Sequence, residues 1–370
     1  MEIIELPGGF ELTLEDRATV VELNQSAKVM STSFLNGGFR EDLQYLFNYC
    51  EIFGRSDGRC VMRASTNEGH LRAIATELGL DPRTTAGLST SARVKESTIK
   101  TAEYADFSVA AVITAGIDIS GSRAGDPAFW HEKNGVPFSE KAGTINIMLF
   151  IDADLTAGAL CRAMVTCTEA KTAALQEMLA PSCSSNGLAT GSGTDGTIIV
   201  ANGSAPTRLT NAGHHSKMGE YIGRVVKEGL KEGLVVEEGF EAYSCGSILK
   251  RIGRFGLDEE KLWQRFLHLS GPGENSRELF NRKIARINKD EQVIARATLY
   301  AHLLDLLQWN LIKPDVAVKM ASELLAKADG PGAIIVPQGR AVWANNQEVL
   351  EYLVRCFNQY LVFIVVNEGD

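Results

Sequence analysis

What this chain lacks narrows its identity quickly. No apolar run comes near the roughly 18 residues of a membrane helix; the longest, around Val109–Ala115, Ile145–Ile151 and Tyr360–Val366, stop far short. Among the seven cysteines (Cys50, Cys60, Cys161, Cys167, Cys183, Cys245 and Cys356) there is no C-x-x-C pair, and the number is odd. That usage argues against a disulfide framework or a zinc ribbon and fits free thiols in a reducing compartment. The opening MEIIELPGGF carries acids where a secretory signal would carry basic residues and an apolar core. The expected location is therefore cytoplasmic, with no membrane partner. Basic clusters are missing too, at a net charge of −9. This argues against a nucleic-acid partner, because binding a phosphate backbone draws on Lys and Arg. Also absent are the Gly-Lys-Ser/Thr of a nucleotide loop, the G-x-S-x-G elbow of many hydrolases and the zinc-binding H-E-x-x-H.

The remainder is ordinary for a globular protein: 45% hydrophobic and 22% charged over 370 residues, enough for two domains with sizeable cores. Up to about Leu234, strand-like and helix-like periods alternate. Strands are predicted near Thr19–Leu23, Ala27–Ser33, Phe107–Thr114, Thr144–Ile151 and Thr197–Ala201. Helices are predicted near Arg40–Asn48, Glu68–Leu78, Ala157–Leu179 and Lys217–Gly233. Beyond Cys245 the pattern is charged and helix-favouring over Asp258–Leu269, Asn275–Ile287, Glu291–Leu306 and Pro314–Ala328. Two strand-like runs follow, Ala333–Val336 and Tyr360–Val366, around a helix near Gln347–Phe357. The expectation is an α+β fold: a mixed sheet layered with helices over residues 1–242, and a mainly helical C-terminal domain with a small β element over 243–370.

The densest chemical signal is NGLATGSGTDGTIIV, Asn186 to Val200, with Gly187, Gly191, Gly193 and Gly196 interleaved with Thr190, Ser192, Thr194 and Asp195. Glycines let backbone approach a ligand closely, so such a loop can aim several N–H donors at one oxygen. Nucleotide-binding loops run from strand through glycines into a helix, whereas this one runs into a strand, which disfavours that use.

Thr156 is a good N-cap for the helix that precedes the loop, whose apolar face carries Leu160, Met164, Cys167, Ala174, Leu175 and Met178. Lys171 falls in the middle of this face, and Glu169 points the other way. A lysine so placed either snorkels or pairs with a buried carboxylate, or else it holds a substrate carbonyl or carboxylate. His214 and His215 stand at the start of an amphipathic helix with Ser216 as its cap, their side chains expected to diverge. One of them suits a general base or a ligand, and the plainer alternative is a capping or exposed histidine. Asp126 precedes a proline and suits a turn, while Phe129 and Trp130 suit either a core or a platform for a flat ligand. Asn146, polar within an apolar strand, suits either an amide-binding group or a satisfied structural amide.

Six segments, SAKVMSTSFLNGGF, ITAGIDISGSRAGDP, GTINIMLFID, EAKTAALQE, GLATGSGTDGTIIV and AGHHSKMGEYIGR, occur in this order. Together, over about residues 19–232, they resemble the adenosylcobinamide amidohydrolases, the CbiZ family of corrinoid salvage. That resemblance implies cleavage of the amide joining the aminopropanol arm to the corrin ring, giving adenosylcobyric acid. It also implies a small-molecule corrinoid substrate, with cobalt entering as part of it, and the working mechanism is a hydrolytic acyl transfer that needs no added cofactor or metal. The D-x-H-x-x-G signature of many corrinoid-binding proteins is absent. In the working mechanism Asp195 or His214 activates water or a hydroxyl such as Thr194, Asn146 and the loop bind the carbonyl, and Lys171 neutralises developing charge. Substrate contacts are expected from Gly191, Ser192, Gly193, Asp126, Glu169, His215 and Trp130. Two other functions compete: a corrinoid-binding sensor or carrier without turnover, and an amide hydrolase acting on another substrate. Homo-oligomer formation and the role of the C-terminal domain are left open.

Overall fold

The computed structural model describes residues 2–52, 61–117, 120–128, 132–133, 136–137, 144–238, 247–269, 276–326, 343 and 345–367. By contacts the chain divides into two compact units, Met1–Glu241 and Ala242–Asp370.

In the first unit the strands are β1 (Glu2–Leu6), β2 (Phe10–Leu14), β3 (Ala18–Glu22), β4 (Ala27–Ser31), β5 (Gly38–Arg40), β6 (Tyr45–Cys50), β7 (Thr85–Thr90), β8 (Thr98–Tyr104) and β9 (Phe107–Ala115). The short pair β10 (Glu132–Lys133) and β11 (Val136–Pro137) precedes β12 (Ile145–Ile151), β13 (Asp154–Leu155), β14 (Gly196–Asn202) and β15 (Arg208–Leu209). The helices are α1 (Asn67–Glu77), α2 (Ala157–Glu177) and α3 (Lys217–Glu238).

Two mixed sheets result, one ordered β1-β2-β3-β6-β7 and the other β5-β4-β14-β12-β9-β8. They pack face to face. Phe10, Leu12 and Leu46 of the first share a core with Val112, Met148, Phe150, Ile198 and Val200 of the second, and the Phe10 and Phe150 rings lie 5.9 Å apart. Because side chains alternate along a strand, the other faces need covers of their own. Helix α1 covers the first sheet, packing Leu71, Ile74 and Ala75 on Phe47 and Tyr49. Helices α2 and α3 cover the second, α2 against β4 and β14 and α3 against β8 and β9. The product is a four-layer helix-sheet-sheet-helix sandwich.

Burial on both faces explains one misreading. Leu43, Leu46 and Phe47 have helical spacing, yet Tyr45–Cys50 is a strand inside the first sheet, buried from Leu46 to Cys50. A strand covered on both sides loses its period-2 signature and cannot be told from a buried helix by spacing. The predicted helix at Arg40–Asn48 is thus replaced by β6. The strands of the N-terminal hairpin, β1 and β2, and the strands β7 and β8 also went unpredicted.

The second unit contains α4 (Ile248–Ile252), α5 (Glu259–Leu269), α6 (Arg277–Ile287), α7 (Glu291–Gln308), α8 (Pro314–Leu325) and α9 (Asn346–Asn367). Its own core joins Phe266, Phe280, Tyr300, Leu304, Leu353, Phe357 and Leu361. Tyr360–Val366, predicted as a strand, is the end of α9. Its β-branched residues favour strands only weakly, and burial of Tyr360, Leu361, Val362 and Val365 overrides that preference. The other half of the predicted β element, Ala333–Val336, lies outside the described residues. Helix α9 is long and apolar enough to cross a membrane by length and composition, but its apolar residues build the core of this unit.

Candidate active site

The glycine loop joins α2 to β14, which runs parallel to β12 with Asn146 opposite Gly196. A parallel neighbour requires a crossover, and α2 provides it. The loop therefore returns to the sheet beside the first residues of β12. Thr156 caps α2 by accepting from the Ala159 N–H, as its place in the sequence suggests.

Lys171 lies on the buried face of α2, with a side chain only 10% exposed, and its ammonium forms an ion pair with Asp195 Oδ2. Of the readings open to a lysine on that face, the pair with a carboxylate is the one the geometry displays, the Asp195 side chain being 14% exposed. The other oxygen of Asp195 accepts from the Ser192 N–H (3.0 Å), the Ser192 hydroxyl and the Ile145 N–H (3.2 Å). Asp195 thus ties the loop to itself, to β12 and to α2. Gly191 makes that knot sterically feasible: a Cβ there would stand 2.2 Å from Asp195 Oδ2 and 2.9 Å from Lys171 Nζ. Gly193 turns the loop with φ of 80°, a left-handed conformation that favours glycine. Gly193 and Thr194 are exposed, while Gly191 and Ser192 below them are buried.

Further hydrogen bonds fix the loop from its flanks. Thr172 of α2 donates to the Thr190 carbonyl (3.2 Å), and the Ser122 N–H donates to the Gly191 carbonyl (2.8 Å). Thr144 donates its hydroxyl to the Thr194 carbonyl at 2.7 Å. Cys167, one turn before Lys171, is fully buried, and desolvation pushes its thiol up to about 12 against the pull of the Lys171 charge. It is a packing residue rather than a thiolate at neutral pH.

Asn146 faces the space between the sheets. Its Oδ1 accepts from the Gly196 N–H (3.1 Å), and its Nδ2 donates to Asn48 Oδ1 (2.8 Å) and the Ser89 carbonyl (2.9 Å). Thr144 Oγ1 stands 3.4 Å from the same Oδ1. An amide offers two donors and two acceptor sites, so Asn146 is occupied within the protein. The sequence places Asn48 and Thr144 only within predicted elements and does not single them out as site residues. Asn48 carries the same signal as Asn146, a polar side chain at an inward strand position, but that signal was hidden while its segment was read as a helix.

The remaining predicted residues lie elsewhere. Glu169, on the outer face of α2, pairs with His214 Nδ1 at 3.2 Å, and both side chains are more than half exposed. His214 and His215 were expected to diverge, yet their rings lie 4.4 Å apart. Ser216 caps α3 as anticipated, accepting from the Gly219 N–H. Asp126 lies in the loop bordering the glycine loop, where it accepts from the Ser182 hydroxyl (2.9 Å). Trp130, with Phe129, lies outside the described residues. The structure therefore gathers Lys171, Asp195, Ser192 and Thr194 around Gly191 and Gly193, with Asn146 beneath, and leaves Glu169, His214 and His215 on the outer surface.

A sandwich with helices on both sides and a loop-borne polar cluster at the start of a central parallel strand pair defines an enzyme-like α+β domain. Comparison makes this particular. The sequence model of the CbiZ family, adenosylcobinamide amidohydrolase, matches residues 4–242. An uncharacterized protein of Methanocaldococcus jannaschii is 31% identical over 246 residues, 64% of this chain and 91% of its own length. The adenosylcobinamide amidohydrolase of Methanosarcina mazei is 32% identical over 208 residues, 54% of this chain and 86% of its own. Among solved structures, the PH0078 protein from Pyrococcus horikoshii OT3 is 14% identical, covering 62% of this chain and 80% of that one, with a TM-score of 0.30. A superposition that loose identifies neither a shared site nor a shared activity. This chain belongs to the adenosylcobinamide amidohydrolase family and is a hydrolase acting on an amide bond. The match includes the whole glycine loop and ends where the helical unit begins.

Proposed function

We propose that the chain hydrolyses the amide between the corrin ring and the aminopropanol arm of adenosylcobinamide, releasing aminopropanol and adenosylcobyric acid, a step of corrinoid salvage. The observation that carries the site assignment is the exposed Gly193–Thr194 tip above the part-buried Asp195–Lys171 pair, within the region that matches the family. A bulky substrate can reach that tip, and a tip held on several sides is a preorganised surface for a carbonyl.

The Thr194 hydroxyl stands 3.5 Å from the Ser192 hydroxyl, which in turn donates to Asp195 Oδ1. In the proposed reaction Thr194 Oγ1 attacks the amide carbon, and its proton passes through Ser192 to Asp195. Backbone N–H groups of the loop receive the oxyanion, and loss of one such donor typically costs about 2.7–4 kcal/mol. Collapse breaks the C–N bond, and the leaving amine takes the proton. Water then hydrolyses the Thr194 ester, giving the corrinoid carboxylate and free Thr194. Lys171 holds Asp195 in place through their ion pair. Of the two bases that the sequence allowed, this geometry favours Asp195, because His214 is engaged with Glu169 on the outer face of α2. Asn146, occupied internally, serves as a support rather than a carbonyl ligand.

The reaction calls for no added cofactor, and cobalt enters within the substrate. Cys161, Cys167 and Cys356 are free thiols, which supports a reducing, cytoplasmic setting. Purified protein incubated with adenosylcobinamide should release aminopropanol and a corrinoid carboxylate, detected by mass. Thr194→Val should lower kcat by about a hundredfold or more. A change in the visible spectrum on binding without product would refute turnover of this substrate, and failure to bind would point to a different amide.

A further inference from the structure

We propose that Asn48, which belongs to the opposite sheet, is a positioning residue for hydrolysis, acting on the glycine loop through Asn146. The proposal rests on the reading of that loop as the reacting site. Asn48 and Asn146 are each 2% exposed, and a buried amide is costly unless its hydrogen bonds are made. Here they form a chain. Asn48 Nδ2 donates to Thr114 Oγ1 on β9 (2.9 Å). Its Oδ1 then accepts from Asn146 Nδ2, and the Ser89 carbonyl takes the second Asn146 donor. With both N–H groups of Asn146 claimed from the opposite sheet, its oxygen must face the Gly196 N–H. A flipped Asn146 would set donor against donor at Gly196 and lose its partners at Asn48 and Ser89.

The Gly196 N–H is the first backbone group after Asp195, and Thr144, next to the same Asn146 oxygen, grips the Thr194 carbonyl. The Ser89 carbonyl and the Gly196 N–H set the sense of the Asn146 amide, and Asn48 holds that amide against the opposite sheet and, through it, the loop that offers Thr194. Since a misplacement of about 1 Å can cost a hundredfold in rate, such a residue should act on kcat without touching substrate.

The test compares Asn48→Leu, Asn48→Asp, Thr114→Val and Thr194→Val in the full chain, with kcat, KM and melting temperature measured for each. Asn48→Leu should lower kcat by about tenfold or more, with KM changed by less than about threefold. Asn48→Asp keeps an acceptor for Asn146 and lets the Thr114 hydroxyl donate, so it should recover kcat to within about threefold of the parent. If Asn48→Leu does not fold, Thr114→Val decides: a kcat loss of about threefold or more at constant KM supports the proposal. Folded Asn48→Leu, or in its absence Thr114→Val, turning over at the parental rate overturns it, as does a loss confined to melting temperature. If Thr194→Val itself keeps the parental kcat, the loop reading fails and this proposal with it. If Thr194→Val is inactive while Asn48→Leu is unimpaired, the loop reading stands and only Asn48 falls.

Discussion

Both units bury an ion pair, and the two pairs are built differently. In the helical unit, Arg254 meets Asp305 of α7 fork to fork, with both N–O distances at 2.6 Å and side chains 5% and 7% exposed. Each carboxylate oxygen there serves the same guanidinium, and the contact joins two helical segments. In the sandwich, Asp195 divides its oxygens, one for Lys171 and the other for three donors from the loop and β12. The first pair is a closed joint, whereas the second is a hub whose removal frees a loop. Burial of charge does not by itself mark a functional site. The difference lies in what else the carboxylate holds and whether that element reaches solvent.

The sharpest way to break this comparison is Gly191→Ala. The added Cβ would fall on both partners of the Lys171–Asp195 pair, so kcat should drop by about a hundredfold or more. Wild-type turnover in a folded Gly191→Ala protein would remove the hub from the mechanism. Next come Lys171→Met and Arg254→Met. Removing one member of a buried pair costs about 3–5 kcal/mol of stability in either unit. Only the first should also reduce turnover per folded molecule, by about tenfold or more. Thermal melts paired with active-site-normalised rates separate the two, and equal effects on rate would erase the distinction between joint and hub. The smallest effect is expected from Gly223→Ala on α3, where a Cβ meets no atom within 4 Å. Relieving a helical glycine should raise stability by up to about 1 kcal/mol and leave kcat unchanged. Denaturant titration checks this, and a loss of stability would show that α3 is packed more tightly there than it looks.

Much of the site was legible because its signals are local. Four glycines in ten residues and a lysine on an apolar helical face are visible without a fold, and of these Gly191 and Lys171 meet at Asp195. His214 was equally conspicuous, but a histidine at a helix start carries no mark that tells a general base from an exposed residue. Asn48 was illegible for a different reason. Its role depends on β6 being a strand covered on both faces, and complete burial erases the periodicity that would reveal it. In the helical unit, the end of α9 was misread because β-branched residues outvoted length in a local reading, while the packing that settles the matter is tertiary.

The span of each contact along the chain has a consequence for how this protein comes into being. Lys171 and Asp195 are 24 positions apart, and Thr144 and Thr194 are 50 apart, so both can close within a single β-α-β segment. Asn48 and Asn146 are separated by 98, and joining them requires the two sheets to meet. Closing a longer loop costs more entropy, and non-local contacts slow folding. A nascent chain that has formed its crossover but not its sandwich would hold an assembled loop without its foundation. On this reading competence for hydrolysis requires the docking of one sheet on the other, and not the closure of the loop alone.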